Sequence, residues 1–191
     1  QALDIYIRHN HPRGRAVQAS KMGQVLRKLG RFDEALQAHR DALALYREFD
    51  LYLEGGTEFD FIGRIYIAQG RLDEALEAFQ NALHVFTQAG SRQGEAAQLD
   101  NIGNTYFERG DLDKALKAFG DALYVFKLLG HRRGEAQSLG NIGLVHRRRG
   151  AEMEALDYLA QARIIYRDIG DRRGAGLQAV ERAIAEIGAR K

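Results

Sequence analysis

A period of forty residues constrains this chain more than any other feature it has. Moving Asn101, Ile102 and Gly103 forward by forty lands on Asn141, Ile142 and Gly143, and moving back reaches Ile62 and Gly63. Glycines recur at Gly30, Gly70, Gly110 and Gly150, and alanines at Ala35, Ala75, Ala115 and Ala155 and again at Ala42, Ala82, Ala122 and Ala162. A unit that repeats at such a length buries its apolar side only against its neighbours, so the chain must stack along a line. With 191 residues, 45% apolar and 28% charged, there is enough apolar material for an ordinary core. The repeat spreads that core out.

Four full units follow this period, at 11–50, 51–90, 91–130 and 131–170, and each reads as two helices. In the third, Leu99, Ile102, Tyr106 and Phe107 form an apolar stripe at helical spacing, which marks helix A. Gly110 then offers the left-handed conformation that ends a helix cheaply. Asp113 follows in the first turn of helix B, where a carboxylate meets the positive end of the dipole, and Asp33, Asp73 and Glu154 hold matching or adjacent places. Helix B carries Ala115, Leu116, Phe119, Ala122, Leu123 and Phe126 on one side. Gly103 and Ala115 are expected where the two antiparallel helices cross, with Phe119 and Tyr106 beside them. The one proline, Pro12, is expected in a connection between helices.

This order of small residue, aromatic, turn glycine, then Ala, Phe and Ala resembles the tetratricopeptide repeat, and it covers nearly the whole chain. The forty-residue spacing exceeds that family's usual unit of about 34. The phrases "GSRQGEAAQLDNIGNTY" and "GHRRGEAQSLGNIG" are similar to the long-helix variety of Pins-type adaptors, kinesin light chains and many bacterial regulators. Departures are visible. Arg47, Thr87, Lys127 and Arg167 stand where the family often has a closing proline. Leu26 and His146 replace the helix A aromatic, and His39 and Leu159 the helix B Phe. The resemblance implies an all-α fold: a right-handed α-solenoid of antiparallel helix pairs, forming one array over 1–191.

The two ends are read from the same register. Residues 1–10, QALDIYIRHN, align with the closing half of a unit, so the chain is expected to open on the end of a preceding helix B. Residues 171–191 begin like another helix A but place Arg182, Ala183 and Glu186 where Ile142, Gly143 and His146 stood. That suits a terminal capping helix, with Leu177, Val180, Ile184 and Ile187 packing inward. No apolar run approaches the roughly 20 residues of a membrane span, and nothing at the start resembles a signal peptide. A cytoplasmic location and no membrane partner are expected.

By the resemblance, helix A lines a concave groove. Carrying its positions over residue by residue gives candidate peptide-binding residues Gln24, Arg27, Asp60, Phe61, Arg64, Ile67, Asp100, Asn101, Asn104, Phe107, Asn141, Leu144, Arg147 and Arg148. Carboxamides both give and take hydrogen bonds, so Asn101, Asn104 and Asn141 suit a peptide main chain, while Phe61, Ile67 and Phe107 offer apolar pockets. The bland reading is that Asn101 and Asn141 bond a neighbouring helix and that Phe107 is core. Phe61, whose equivalents are polar, is expected to be the more exposed. Residues 51–100 hold 3 basic against 8 acidic residues and 101–150 hold 9 against 5, a polarity that would orient a charged segment. The family's clamp for chaperone tails would fall on Ser20, Gln24, Phe61, Ala97 and Asn101, which lack its cations. A chaperone-tail receptor is therefore disfavoured.

Other functions fare worse. His131, Arg132 and Arg133, Arg147 to Arg149, and Arg172 and Arg173 form a basic cluster that could meet phosphates, yet the net charge of +2 and the lack of interleaved aromatics argue against nucleic acid. No cysteine is present, and none of the six histidines shares a helix face with a carboxylate at metal-ligand spacing. His9 and His11 are expected in a turn, with nothing to support a metal there. No phosphate loop or nucleophile motif appears, so no catalytic residue, metal or cofactor is expected and the chain does not read as an enzyme. The favoured reading is a scaffold that binds a peptide segment of another protein. The alternative is a sensor or oligomerisation segment of a larger signalling or transcription regulator, contacting another domain of its own full-length chain. The sequence leaves the oligomeric state open.

Overall fold

The computed structural model describes residues 12–171 and 174–189, and among these it contains nine α-helices and no strand. They are α1 (Pro12–Lys28), α2 (Phe32–Glu48), α3 (Tyr52–Ala68), α4 (Leu72–Gln88), α5 (Arg92–Arg109), α6 (Leu112–Leu128), α7 (Arg132–Arg148), α8 (Glu152–Asp168) and α9 (Ala175–Gly188). The helices alternate A and B in the forty-residue register. Two compact units result, divided between Ser91 and Arg92. In the first, α1 pairs with α2 and α3 with α4, and α2 packs on α3; in the second, α5 pairs with α6 and α7 with α8, α6 packs on α7, and α9 covers α8. Residues 1–10, His11, and Arg172 and Arg173 lie outside the described part, and with them the expected half-unit, the His9–His11 turn and one arm of the basic cluster.

Each pair is held by one repeated contact, a glycine on helix A lying against a large ring or branched side chain on helix B. A Cβ added at Gly103 would stand 2.6 Å from the Phe119 ring, at Gly63 2.5 Å from Phe79, and at Gly143 2.8 Å from Leu159. Gly23 meets His39 in the same way, at 2.6 Å. The partner of Gly103 is thus the Phe119 ring more than Ala115, which is fully buried in a cluster with Phe119, Ile142 and Val145. Only a bare backbone lets the side chain of helix B come this close to helix A, and that close packing stabilises the pair.

Turns inside and between pairs follow one pattern. At the end of α5, Gly110 takes φ 92°, its N–H bonds Phe107 O at 3.1 Å, and the Asp111 N–H bonds Tyr106 O at 2.9 Å, so the last carbonyls are satisfied. Asp50 is the exception: at φ 56° it occupies the place held by Gly90, Gly130 and Gly170. First turns of helices are strapped by ion pairs Arg31–Glu34, Arg71–Glu74, Arg92–Glu95 and Arg132–Glu135 at i,i+3. Acidic residues Asp33, Asp73, Asp113 and Glu154 sit in the first turns of their helices, where the dipole favours them.

Two expectations are corrected here. Pro12 opens α1 rather than lying in a connection; its fixed φ suits a first helical position, and the N–H it lacks would have no partner there. In α9, Leu177, Val180 and Ile187 pack inward as expected, but Ala183 does too, at 2% exposure. It takes the small-residue place of Gly143, while Arg182 and Glu186 face water.

Candidate functional site

In the second unit the helix A residues α5 and α7 carry are organised around one carboxylate. Asp100 is 3% exposed, and its oxygens accept from Gln137 Nε2 at 2.7 Å, Asn104 Nδ2 at 3.1 Å and Asn141 Nδ2 at 3.1 Å. Gln137 and Asn141 reach it from the next helix A, at i+37 and i+41, so the bonds tie α7 to α5. Burial pushes the Asp100 carboxyl up from its ordinary range, against the opposing pull of the carboxamide donors. Asn101 belongs to the same face but donates to Gln98 Oε1 at 3.3 Å. Thr105, fully buried below it, bonds the Asn101 carbonyl at 2.8 Å.

The apolar and basic candidates flank this polar row. Phe107 is half-buried, with the Arg148 guanidinium 5.1 Å above its ring and Arg148 Nη1 donating to the Phe107 carbonyl at 2.6 Å. Leu144 lines a crevice of about 70 Å³ between α7 and α9, next to Asn141 and Tyr166. Arg147 pairs with Glu186, Arg149 with Asp113 and Arg133 with Asp171. The described arm of the basic cluster therefore stitches neighbouring helices of this unit together. Its phosphate-binding reading loses the free guanidiniums it needs.

The first unit solves the same problem differently. Asp60, in the place of Asp100, is buried and takes Arg64 Nε at 2.8 Å from one turn along its own helix. Glu58, two residues earlier, is 2% exposed and lies 2.7 Å from His39 Nδ1 on α2. The His39 ring stacks on Phe61 with centroids 5.0 Å apart, and its Nε2 is buried with no hydrogen-bond partner among the described residues. Phe61 is therefore half-buried, less free than expected. A crevice of about 260 Å³ opens above it between α1 and α3, lined by Ser20, Lys21, Gln24, Glu58 and Phe61 among others. Arg27 and Ile67 are half-buried at the far end of their helices.

Sequence reasoning placed the helix A rows but not the polar pairs beneath them. His39–Glu58 joins residues 19 apart on different helices, so no face-by-face search of the sequence finds it. One signal was available: a histidine in the place of Phe79 and Phe119 asks for a polar partner. Asp60 and Asp100, expected as groove positions, are buried supports. Among the described residues no group of three His, Cys, Asp or Glu could hold a metal ion, and no helix is long and apolar enough to cross a membrane.

Comparison with known proteins agrees with this geometry. None of the curated proteins searched matches the chain. In fold it is similar to the crystal structure of BtubC (BKLC) from P. vanneervenii, with TM-score 0.74 and 20% identity over 83% of this chain and 66% of that one. It is similar also to the apo form of RapI, with TM-score 0.77 and 19% identity over 93% of this chain and 70% of that one. The family model described as Tetratricopeptide repeat matches residues 14–88, 53–123 and 95–168. Because those matches run through every helix pair in the register that the glycine–ring contacts define, the chain belongs to the tetratricopeptide repeat family.

Proposed function

We propose that this chain is a protein-interaction scaffold that binds a peptide segment of a partner along the face lined by α5 and α7 of its second unit. The observation that carries the reading is the row of carboxamides on α5 and α7. Asn104 and Asn141 are half-exposed yet fixed in orientation by Asp100, so their polar ends are preorganised before any ligand arrives. Phe107 and Leu144 lie beside that row and suit apolar side chains of the bound segment. The family match supports the scaffold role, and the likeness to solved structures supports the fold that displays it.

Photo-crosslinking tests this directly. A photoreactive residue placed at 101 or 137, on the A helices, should crosslink the partner from cell extract. The same residue at 124 or 164, where Tyr124 and Ile164 are exposed on B helices, should not. Crosslinks confined to 124 and 164 would move binding to the opposite face and end the proposal.

A further inference from the structure

The first unit gives both of its buried helix A carboxylates an internal cationic or titratable partner, Arg64 for Asp60 and His39 for Glu58. Asp100 has none. The third repeat keeps the carboxylate of Asp60 at Asp100 but replaces Arg64 by Asn104, and the groups that reach it, three carboxamides and the Ser138 hydroxyl, are all neutral. The four arginines of α7 are turned elsewhere, Arg132 to Glu135, Arg133 to Asp171, Arg147 to Glu186 and Arg148 to the Phe107 carbonyl. A buried carboxylate held only by neutral donors remains costly, because no opposite charge offsets its lost hydration.

The orientation of the carboxamides then follows from chemistry. An ionised carboxylate only accepts hydrogen bonds, so each amide nitrogen must face it, and the carbonyl oxygens of Asn104, Gln137 and Asn141 must turn away. Asn104 and Asn141 are half-exposed and Gln137 is exposed, so that side of the face offers acceptors over a buried negative charge. A group with several N–H donors and a positive charge satisfies both conditions together.

We propose that this place on the second unit seats a cationic group of the bound segment, a lysine or arginine side chain or a free amino terminus, on the carbonyl oxygens of Asn104, Gln137 and Asn141 above Asp100. The proposal rests on the peptide-binding reading and names the chemistry that reading leaves open. The bound segment supplies from outside the cation that Arg64 supplies to Asp60 from within. Phe107 and Leu144, each one turn beyond its carboxamide, take its apolar neighbours.

Selection of random linear peptides displayed on phage against the intact chain tests it. Enriched sequences should share one basic residue at a fixed position or, where they do not, should bind as free-amine synthetic peptides and fail when acetylated. Changing that basic residue to citrulline or norleucine should weaken binding at least about tenfold, the effect of one charge-assisted hydrogen bond. Asn104→Arg, which copies the arrangement of Asp60 and Arg64, should melt cooperatively at no lower temperature and lose the preference for the cation. Enriched peptides with no fixed cation that bind equally well when acetylated, or a neutral replacement that binds as well, would overturn this inference while leaving peptide binding in place. If no peptide is enriched on the wild-type chain, the peptide-binding reading fails and this one with it.

Discussion

The two units use the same helix pair and treat buried charge in opposite ways. In the first, Glu58 is met by His39 and Asp60 by Arg64, so each acid has a counterpart fixed in the fold. In the second, the place of Glu58 is Gln98, a neutral residue, and Asp100 is met by neutral groups alone. The backbone is shared, so the difference lies in side chains at equivalent positions. It suggests that the repeat sets where a carboxylate can sit, while a single exchange, arginine for asparagine, decides whether that carboxylate is closed or still open to a cation.

The largest expected effects test whether the shared scaffold is as uniform as this comparison requires. Phe119→Ala removes a ring that is 1% exposed and lies under Gly103, and should cost about 3–5 kcal/mol in urea unfolding. A loss well under that range would mean the ring is not what holds the pair. His39→Phe installs the residue that Phe79 and Phe119 provide but leaves Glu58 buried without its partner, and should cost about 3 kcal/mol. Adding Glu58→Gln, the residue of the third repeat, should recover most of that loss. If the two changes simply add, the pair is not coupled and the contrast between the units is weakened.

How far the sequence shows this can be traced through particular residues. The period, the glycine turns and the helix A stripes are legible because they depend on contacts within one repeat or its immediate neighbour. Gly103 could be marked as a close approach, though not its partner: Phe119 and Ala115 both lie on the facing side of helix B. That Asn141 bonds a neighbouring helix was legible, but Asp100 as its partner and the pair His39–Glu58 were not, since each depends on which rotamers meet across a helix interface. Arg147 and Arg148 show the same limit. A run of arginines at a helix end looks like a ligand surface until Glu186 and the Phe107 carbonyl are placed beside it.

A smaller effect comes from moving the first unit's arrangement into the second. Asn104→Arg should pair with Asp100 and raise stability by about 1 kcal/mol at neutral pH, as a half-buried ion pair one turn apart does. The pH profile gives a sharper check. With its folded pKa raised above the unfolded value, the wild-type Asp100 contributes stability in acid, fully present below the ordinary carboxylate range and lost as pH rises through the folded value. The groups around it, Asn104, Gln137, Asn141 and Ser138, do not titrate there. Tyr166, whose hydroxyl is pushed up by burial and by Asp171 and Asp100, titrates far above. The advantage of Asn104→Arg over wild type should therefore grow as pH rises from acid toward neutrality. An advantage that is constant with pH would show that Asp100 carries no unmatched charge.

The smallest effect concerns the turns that join the pairs inside each unit. Asp50 joins α2 to α3 at φ 56°, while Gly130 joins α6 to α7 at φ 63°, so one unit makes with a side chain the bend the other makes without one. Asp tolerates this conformation better than most residues, and its carboxylate also takes the Tyr52 hydroxyl at 2.6 Å, an exposed bond of small value. Asp50→Gly relieves the backbone strain but frees the unfolded chain, leaving a net gain of about 0.5 kcal/mol in urea unfolding. Gly130→Asp should cost about 1 kcal/mol, because Arg132 stands in the place of Tyr52 and offers no matching hydroxyl. Equal and opposite changes would mean the turns are interchangeable. A larger loss at Gly130 than gain at Asp50 would show that the Tyr52 contact has adapted the first unit to its aspartate.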